Sequence, residues 1–165
     1  MIYDINFIRT KLNIQQNTKN NMPRIKIEMP SVKLAEIKIP VRISDVNYGN
    51  HVGNDAFVSI IHEARLQWLK QKGFSEMDFD SAGLTMGDLA VEFKNESFYG
   101  DVIDVTIYAG EIARVSFELF YQLSTVRNDK TVLLANAKTG MICFDYKIKK
   151  PVTISEVAKN ILMGK

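Results

Sequence analysis

The sequence predicts an α+β domain in which an antiparallel sheet of about five strands wraps around one long central helix. Three observations predict it. One amphipathic stripe of helical period starts at Phe57, and the segments beyond residue 88 alternate apolar and polar residues with a period of two. The order of these patterns is strand, long helix, then about four strands, so a single helix must cover one sheet face. At 165 residues the chain suits one core, since chains of this size bury about 70% of their unfolded surface and rarely divide.

Residues 1–33 read as an N-terminal extension, partly flexible, and residues 34–165 as the single domain. The polar run from Gln15 to Asn21 cannot bury enough apolar surface to offset its ordering entropy, and Met22 beyond it is a candidate natural start. Leu34 to Ser44 is rich in β-branched residues and suits a first strand, which Pro40 confines to an edge or an end. Phe57, Ile61, Ala64 and Trp68 fall at i, i+4, i+7 and i+11, the buried face of a helix. Asn54 is placed to cap that helix, Asp55 suits the positive end of its dipole, and Gly73 can take the left-handed conformation past its last turn.

Leu89, Val91 and Phe93 alternate with Ala90, Glu92 and Lys94 as the next strand, and Tyr99-Gly100-Asp101 reads as a turn. Ile103, Val105 and Ile107, then Val115 to Leu123, give two further alternating strands. Arg127-Asn128-Asp129-Lys130 has turn composition. Thr131 to Tyr146 is a long β-rich segment in which Gly140 marks a bulge or a close backbone approach, and a short helix is expected after Pro151.

Charge and composition exclude several classes. The 21 Lys and Arg nearly balance 19 Asp and Glu, for a net charge of +2, so no nucleic-acid footprint built on bulk charge is present. The first 21 residues hold only short apolar clusters broken by Asp4, Arg9 and Lys11, which suits neither a signal peptide nor a membrane span. A single cysteine, Cys143, makes no intramolecular disulfide, and the two histidines, His51 and His62, make no metal site, so a cytoplasmic protein without metal or redox cofactor is expected.

Chemistry-bearing residues concentrate between the first strand and the helix. Asp45, Asn47, Asn50, His51, Asn54 and Asp55 lie within eleven residues. A helix start presents unpaired backbone N–H groups that can hold a carbonyl oxygen as it gains charge. Gly49 and Gly53 let the backbone turn tightly and approach a ligand closely. The plainer reading of the same loop is turn and capping chemistry, and Asp45 at a strand end suits a capping role.

The run from Val41 to Asn54, with Asp45-Val46-Asn47-Tyr48-Gly49-Asn50-His51 at its centre, followed by Phe57 and Glu63-Ala64-Arg65, resembles the 4-hydroxybenzoyl-CoA and acyl-ACP thioesterase family. Val91 to Asp101 resembles that family's second strand and Gly-Asp turn, so the likeness covers roughly residues 34 to 147. It implies a hot-dog fold, hydrolysis of acyl-CoA or acyl-carrier thioesters, coenzyme A present only as part of the substrate, and a homodimer or dimer-based oligomer. One departure matters: the family often places its catalytic carboxylate where this chain has Asn47, and an amide cannot act as a general base. Plant acyl-ACP thioesterases are similar in keeping a His at the position of His51 and a Glu at that of Glu96, which makes Glu96 the first carboxylate candidate and Asp45 the second.

On this resemblance Glu96 activates water or attacks the carbonyl, Asn47 and His51 orient or polarise, and N–H groups near Gly53, Asn54 and Asp55 hold the oxyanion. Tyr48 and Gly49 are candidate substrate contacts, and Lys94, Arg114 and Lys138 are candidates for the CoA phosphates. His62 is expected to be structural or interfacial, and Glu63 with Arg65 to form an ion pair at the surface or a subunit contact. Two alternatives stay open. Asp45-x-Asn47 followed by His51 superficially resembles the Asp-x-Asn-Pro-x-His pattern of hot-dog hydratases, but the proline is absent and the His is one residue too far. Loss of the usual carboxylate at Asn47 also suits a module that binds acyl-CoA without turnover.

Overall fold

The computed structural model of the protein describes residues 24–165. The polar run at residues 15–21 and Met22 lie outside the described residues. The elements are β1 (Val32–Pro40), α1 (Asn54–Gln71), β2 (Gly83–Phe93), β3 (Val102–Ile112), β4 (Ser116–Arg127), β5 (Lys130–Asp145), β6 (Lys150–Pro151) and α2 (Glu156–Leu162). A 3₁₀ turn, Ile43–Asp45, lies between β1 and α1. The sheet order is β1-β3-β4-β5-β2, with β6 added to β5, and every pairing is antiparallel.

The alternating segments form strands because each can bury one face. Ile103, Val105 and Ile107 of β3 and Phe117, Leu119, Tyr121 and Leu123 of β4 are all buried, while the residues between them stay partly exposed. The two-residue connection between β4 and β5 is a primed hairpin turn, with Asn128 at φ 50° and Asp129 at φ 59°, a conformation that short polar side chains tolerate. β1 is an edge strand that ends at Pro40, which has no N–H to continue the ladder. The strand expected to reach Ser44 therefore gives way to the 3₁₀ turn, although Val41 still donates its N–H to the Asp101 carbonyl at 2.9 Å. The same strand begins at Val32, inside the stretch assigned to the extension.

Two further boundaries differ from expectation. β2 starts at Gly83, six residues before Leu89, because a bulge between Met86 and Asp88 shifts the register and hides the period-two pattern. Gly140 lies opposite on β5, and a Cβ there would come within 2.3 Å of the Asp88 carboxylate. The bulge is thus on β2, and Gly140 is its close approach. The two residues of β6 carry no readable period; α2 does form, with Ser155 accepting the Ala158 N–H at 3.0 Å as its cap.

The α1 stripe lies on the concave face of the sheet. Ile61, Ala64, Trp68 and Leu69 are at most 1% exposed, and Trp68, Phe79 and Phe117 form a chain of tilted aromatic contacts with centroid separations of 6.4 and 5.8 Å. Cys143 is buried in this core, and burial pushes its thiol up to about 11, which leaves it a small hydrophobe. α1 packs most closely on β1 and β3, so a trough remains between α1 and the open edge of β2. Part of that trough is a cavity of about 290 Å³ lined by Val58, Ile61, Arg65, Leu84, Leu89 and Met141. Among the described residues no helix is long and apolar enough to cross a membrane.

The expected Glu63–Arg65 pair does not form. Residues two apart on a helix face different directions; Glu63 accepts from Gln67 Nε2 at 2.8 Å, and Arg65 turns inward, where it is 4% exposed. Its guanidinium Nε donates to Glu76 Oε1 at 2.6 Å and Nη1 to the Tyr121 hydroxyl at 3.4 Å, while His62 Nε2 lies 2.9 Å from Glu76 Oε2. Burial alone would raise the Glu76 carboxyl, but the hydrogen bonds from His62 and Arg65 outweigh it and hold the group below the usual carboxylate range.

Removing one partner of such a pair strands the other charge in the interior. Glu76→Ala is expected to lower stability by about 3 kcal/mol in urea unfolding, and Arg65→Met by less, because the Glu76 carboxylate left behind is the more exposed partner. A carboxylate with a depressed folded pKa contributes stability above its unfolded value and loses it as pH falls through the folded one. The gap between wild type and Glu76→Ala is therefore expected to narrow as pH is lowered from about 6 to about 3.

Candidate functional site

The segment between β1 and α1 is built by its own backbone. Arg42 N–H donates to Asp45 Oδ2 at 2.7 Å, so the Asp45 carboxylate closes the 3₁₀ turn. Asn47 N–H donates to the His51 carbonyl at 2.9 Å and Asn50 N–H to the Asn47 carbonyl at 3.0 Å, with Asn50 in the left-handed region at φ 58°. This tight loop holds the Asn47 and His51 side chains together. Asn47 Nδ2 lies 3.4 Å from His51 Nδ1, and Asn47 Oδ1 accepts the Gly49 N–H at 2.8 Å. A side chain at Gly49 would meet His51 Nε2 at 2.9 Å, which is why the position takes glycine.

The loop is tied to the far side of the sheet edge. Val52 N–H donates to the Ser97 carbonyl at 2.7 Å, so the approach to α1 lies against the connection from β2 to β3. This bond brings His51, Val52 and Asn54 onto one cleft of about 190 Å³ with Phe93, Lys94, Asn95 and Glu96. Phe57 from the first turns of α1 meets Phe93 edge-to-face at 5.4 Å and forms the apolar wall.

Helix α1 starts at Asn54, with Gly53 as its uncapped N-cap. Asn54 was expected to be that cap; it is instead the first helical residue, because Gly53 already has the extended backbone that a cap requires. The Gly53 N–H donates to the Asp45 carbonyl at 2.9 Å and so does not face a ligand. The first-turn N–H groups of Asn54, Asp55 and Ala56 have no acceptor among the described residues, as the start of a helix without a side-chain cap leaves them.

The residues singled out by sequence thus fall into three groups. Asn47, Gly49 and His51 share one hydrogen-bonded loop; His51, Asn54 and Glu96 line one cleft; and Asp45 and Gly53 are engaged in building the loop. Asp55 lies in the first turn of α1 and is exposed. Tyr48 is fully solvent-exposed at the loop tip and does not line the cleft. Of the three cations considered for phosphates, Lys94 lines the cleft, whereas Lys138 pairs with Glu118 at 2.6 Å on the outer sheet face and Arg114 borders a different pocket. The sequence reading missed Phe57, Phe93 and Asn95 as wall residues, because alternation and helical period mark the two phenylalanines only as core.

The two candidate carboxylates differ in how they are held. The Asp45 carboxylate accepts a backbone N–H, while the Glu96 side chain is exposed and has no hydrogen-bond partner among the described residues. Among the described residues no group of three or more His, Cys, Asp or Glu is gathered to hold a metal ion. The arrangement puts a carboxylate residue, a histidine and the first residue of α1 around one small space, beside a helix start whose N–H groups are unpartnered among the described residues, which suits attack on a carbonyl.

Solved structures share this architecture at low sequence identity. PA2801 from Pseudomonas aeruginosa matches with a TM-score of 0.70 and 18% identity, over 78% of this chain and 97% of that one. Slr0204 from Synechocystis, a 1,4-dihydroxy-2-naphthoyl-CoA thioesterase, matches with a TM-score of 0.68 and 19% identity, over 77% and 93%. A DHNA-CoA thioesterase from Staphylococcus aureus matches with a TM-score of 0.64 and 21% identity, over 72% and 79%. No curated protein sequence matches the chain. The sequence profile of the thioesterase-like superfamily matches residues 41–162, most of the described chain, and its general chemistry is thioester hydrolysis. With a hot-dog sheet around its central helix and that profile along its length, the chain belongs to the thioesterase-like superfamily.

Proposed function

We propose that the protein hydrolyses acyl thioesters of coenzyme A, or of an acyl carrier, in the cleft at the start of α1, with Glu96 as the reacting carboxylate. The observation that carries this reading is the meeting of His51, Asn54 and Glu96 on one cleft beside the uncapped first turn of α1. The thioester carbonyl oxygen would accept from the N–H groups of Asn54, Asp55 and Ala56, where the helix dipole favours the charge it gains. Glu96 takes a proton from water as the water oxygen attacks the carbonyl carbon. The C–S bond then breaks, the thiolate takes that proton from Glu96 and restores the carboxylate, and the free acid leaves.

Asn47 and His51 serve this step by orientation. The amide at position 47 cannot ionise, but its contact with His51 Nδ1 fixes the imidazole, and the opposite ring nitrogen faces Gly49. Asp45, the second carboxylate candidate, is tied to the Arg42 N–H and does not line the cleft, so its part is to shape the loop. Lys94, whose ammonium sits on Glu92, lines the cleft and is the candidate cation for a CoA phosphate. The apolar trough between α1 and β2 would take the acyl group. Thiolate is a good leaving group, so the reaction as proposed uses no metal or redox cofactor, and we place the protein in the cytoplasm.

The expected occupant of the β2 edge is a second copy. Beyond Leu84, whose N–H donates to the Glu76 carbonyl at 2.6 Å, β2 is the last strand of the sheet order, and Met86 and Phe93 on it are 44% and 42% exposed. A partner there would also shield the Glu96 cleft from bulk water. Light scattering on the purified protein is expected to give at least twice the mass of one chain; a monomer at micromolar concentration would contradict this.

Release of free thiol from acetyl-, hexanoyl-, palmitoyl- and benzoyl-CoA, and from an acyl carrier protein, tests the activity. Turnover of at least one thioester is expected, with Glu96→Gln lowering kcat by about a hundredfold or more and Asn47→Ala by about tenfold. Binding of acyl-CoA without thiol release would replace this reading with that of a binding module, and hydration of crotonyl-CoA with that of a hydratase.

A further inference from the structure

Arg127 closes β4 on the side of the sheet edge where the β2–β3 connection passes. Its guanidinium makes two kinds of bond at once. Nη2 donates to the Glu96 carbonyl at 2.8 Å, while Nε and Nη2 reach Asp101 Oδ1 at 3.2 Å and Oδ2 at 2.5 Å as a two-pronged pair. Asp101 Oδ2 also accepts from Ser97 Oγ and from the Phe98 N–H, each at 2.8 Å. The guanidinium plane lies over the Phe98 ring, 4.7 Å from its centroid. Every residue from Glu96 to Phe98 is therefore held to the Arg127–Asp101 pair, and the Ser97 carbonyl in turn receives the Val52 N–H.

We propose that Arg127 is a positioning residue: anchored on Asp101, it sets the backbone at Glu96 and so fixes where the carboxylate stands against His51 and the start of α1. The inference rests on the reading of Glu96 as the reacting carboxylate. The pair is well suited to the task. Burial would raise the Asp101 carboxyl, but the hydrogen bonds from Arg127, the Phe98 N–H and Ser97 outweigh it and hold the carboxylate ionised below its usual range. A lysine keeps the charge but replaces the planar fork by one nitrogen on a flexible stem, so it loses the Nε bond to Asp101 Oδ1 and the packing on Phe98 that fix the guanidinium in place. A misplacement of about 1 Å at a reacting group can cost about a hundredfold in rate.

A double-mutant cycle on the full chain tests this with hexanoyl-CoA and benzoyl-CoA as probes. Arg127→Lys is expected to lower kcat by about ten- to a hundredfold with KM within about twofold, at a temperature where circular dichroism shows it folded. In the Glu96→Gln background the same change is expected to cost less than about twofold, because the group it positions is gone. Equal losses in both backgrounds would overturn the positioning role, as would a lowered Tm with kcat unchanged. Where Glu96→Gln turns over too slowly to measure, the split in Arg127→Lys decides: a fall in kcat at constant KM supports the role, and a rise in KM at constant kcat overturns it. Full activity of Glu96→Gln would instead remove the reading of Glu96 itself, an outcome read on the other edge of the cycle.

Discussion

Burial of the α1 stripe on the concave face of the sheet is the constraint from which the site follows. Ala64, Trp68 and Leu69 are fully buried there, and no other surface of the described domain could cover them. With the helix packed over β1 and β3, its N-terminus must lie near the start of β3 and the end of β2. The chain leaving β1 has to climb to that point within thirteen residues, Val41 to Gly53. It does so through a 3₁₀ turn and a tight loop whose polar side chains close their own backbone bonds. The loop therefore arrives against the β2–β3 connection, and the Val52–Ser97 bond fastens the two together.

That meeting point separates the two candidate carboxylates by circumstance. Asp45 is engaged by a backbone N–H within its own turn, while Glu96 stands at the cleft with its side chain unengaged and its backbone clamped by Arg127. An amide at position 47 is compatible with this division, since it holds His51 without adding a negative charge to the loop. At the other end of the trough the Arg65–Glu76 pair and the Tyr121 hydroxyl place polar groups beneath an apolar wall. Burial pushes the Tyr121 phenol up, so it stays neutral and bridges Arg65 to Thr139.

Much of this was legible in the sequence, and the limits have physical causes. The stripe from Phe57 to Trp68 and the alternation in β3 and β4 are direct images of burial, so the helix and both strands could be read from period alone. The 4-hydroxybenzoyl-CoA and acyl-ACP resemblance gave the fold name and brought His51 and Glu96 forward together, 45 residues apart in sequence. The start of β2 was hidden because a bulge breaks the alternation, and Arg65 was misassigned because a charged residue on a helix is usually solvated. The Arg127–Asp101 clamp could not be read at all: its members lie 26 residues apart, at the end of β4 and just before β3, and only the sheet register brings them together.

The measurement that bears most directly on the central claim is a crystal structure with a non-hydrolysable acyl-CoA analogue in which a methylene replaces the thioester sulfur. The account predicts the analogue's carbonyl oxygen within hydrogen-bond distance, about 3 Å, of first-turn N–H groups of α1, with the Glu96 carboxylate reaching its carbonyl carbon directly or through one water. A carbonyl seated away from the start of α1, or a Glu96 side chain turned out of reach, would contradict it.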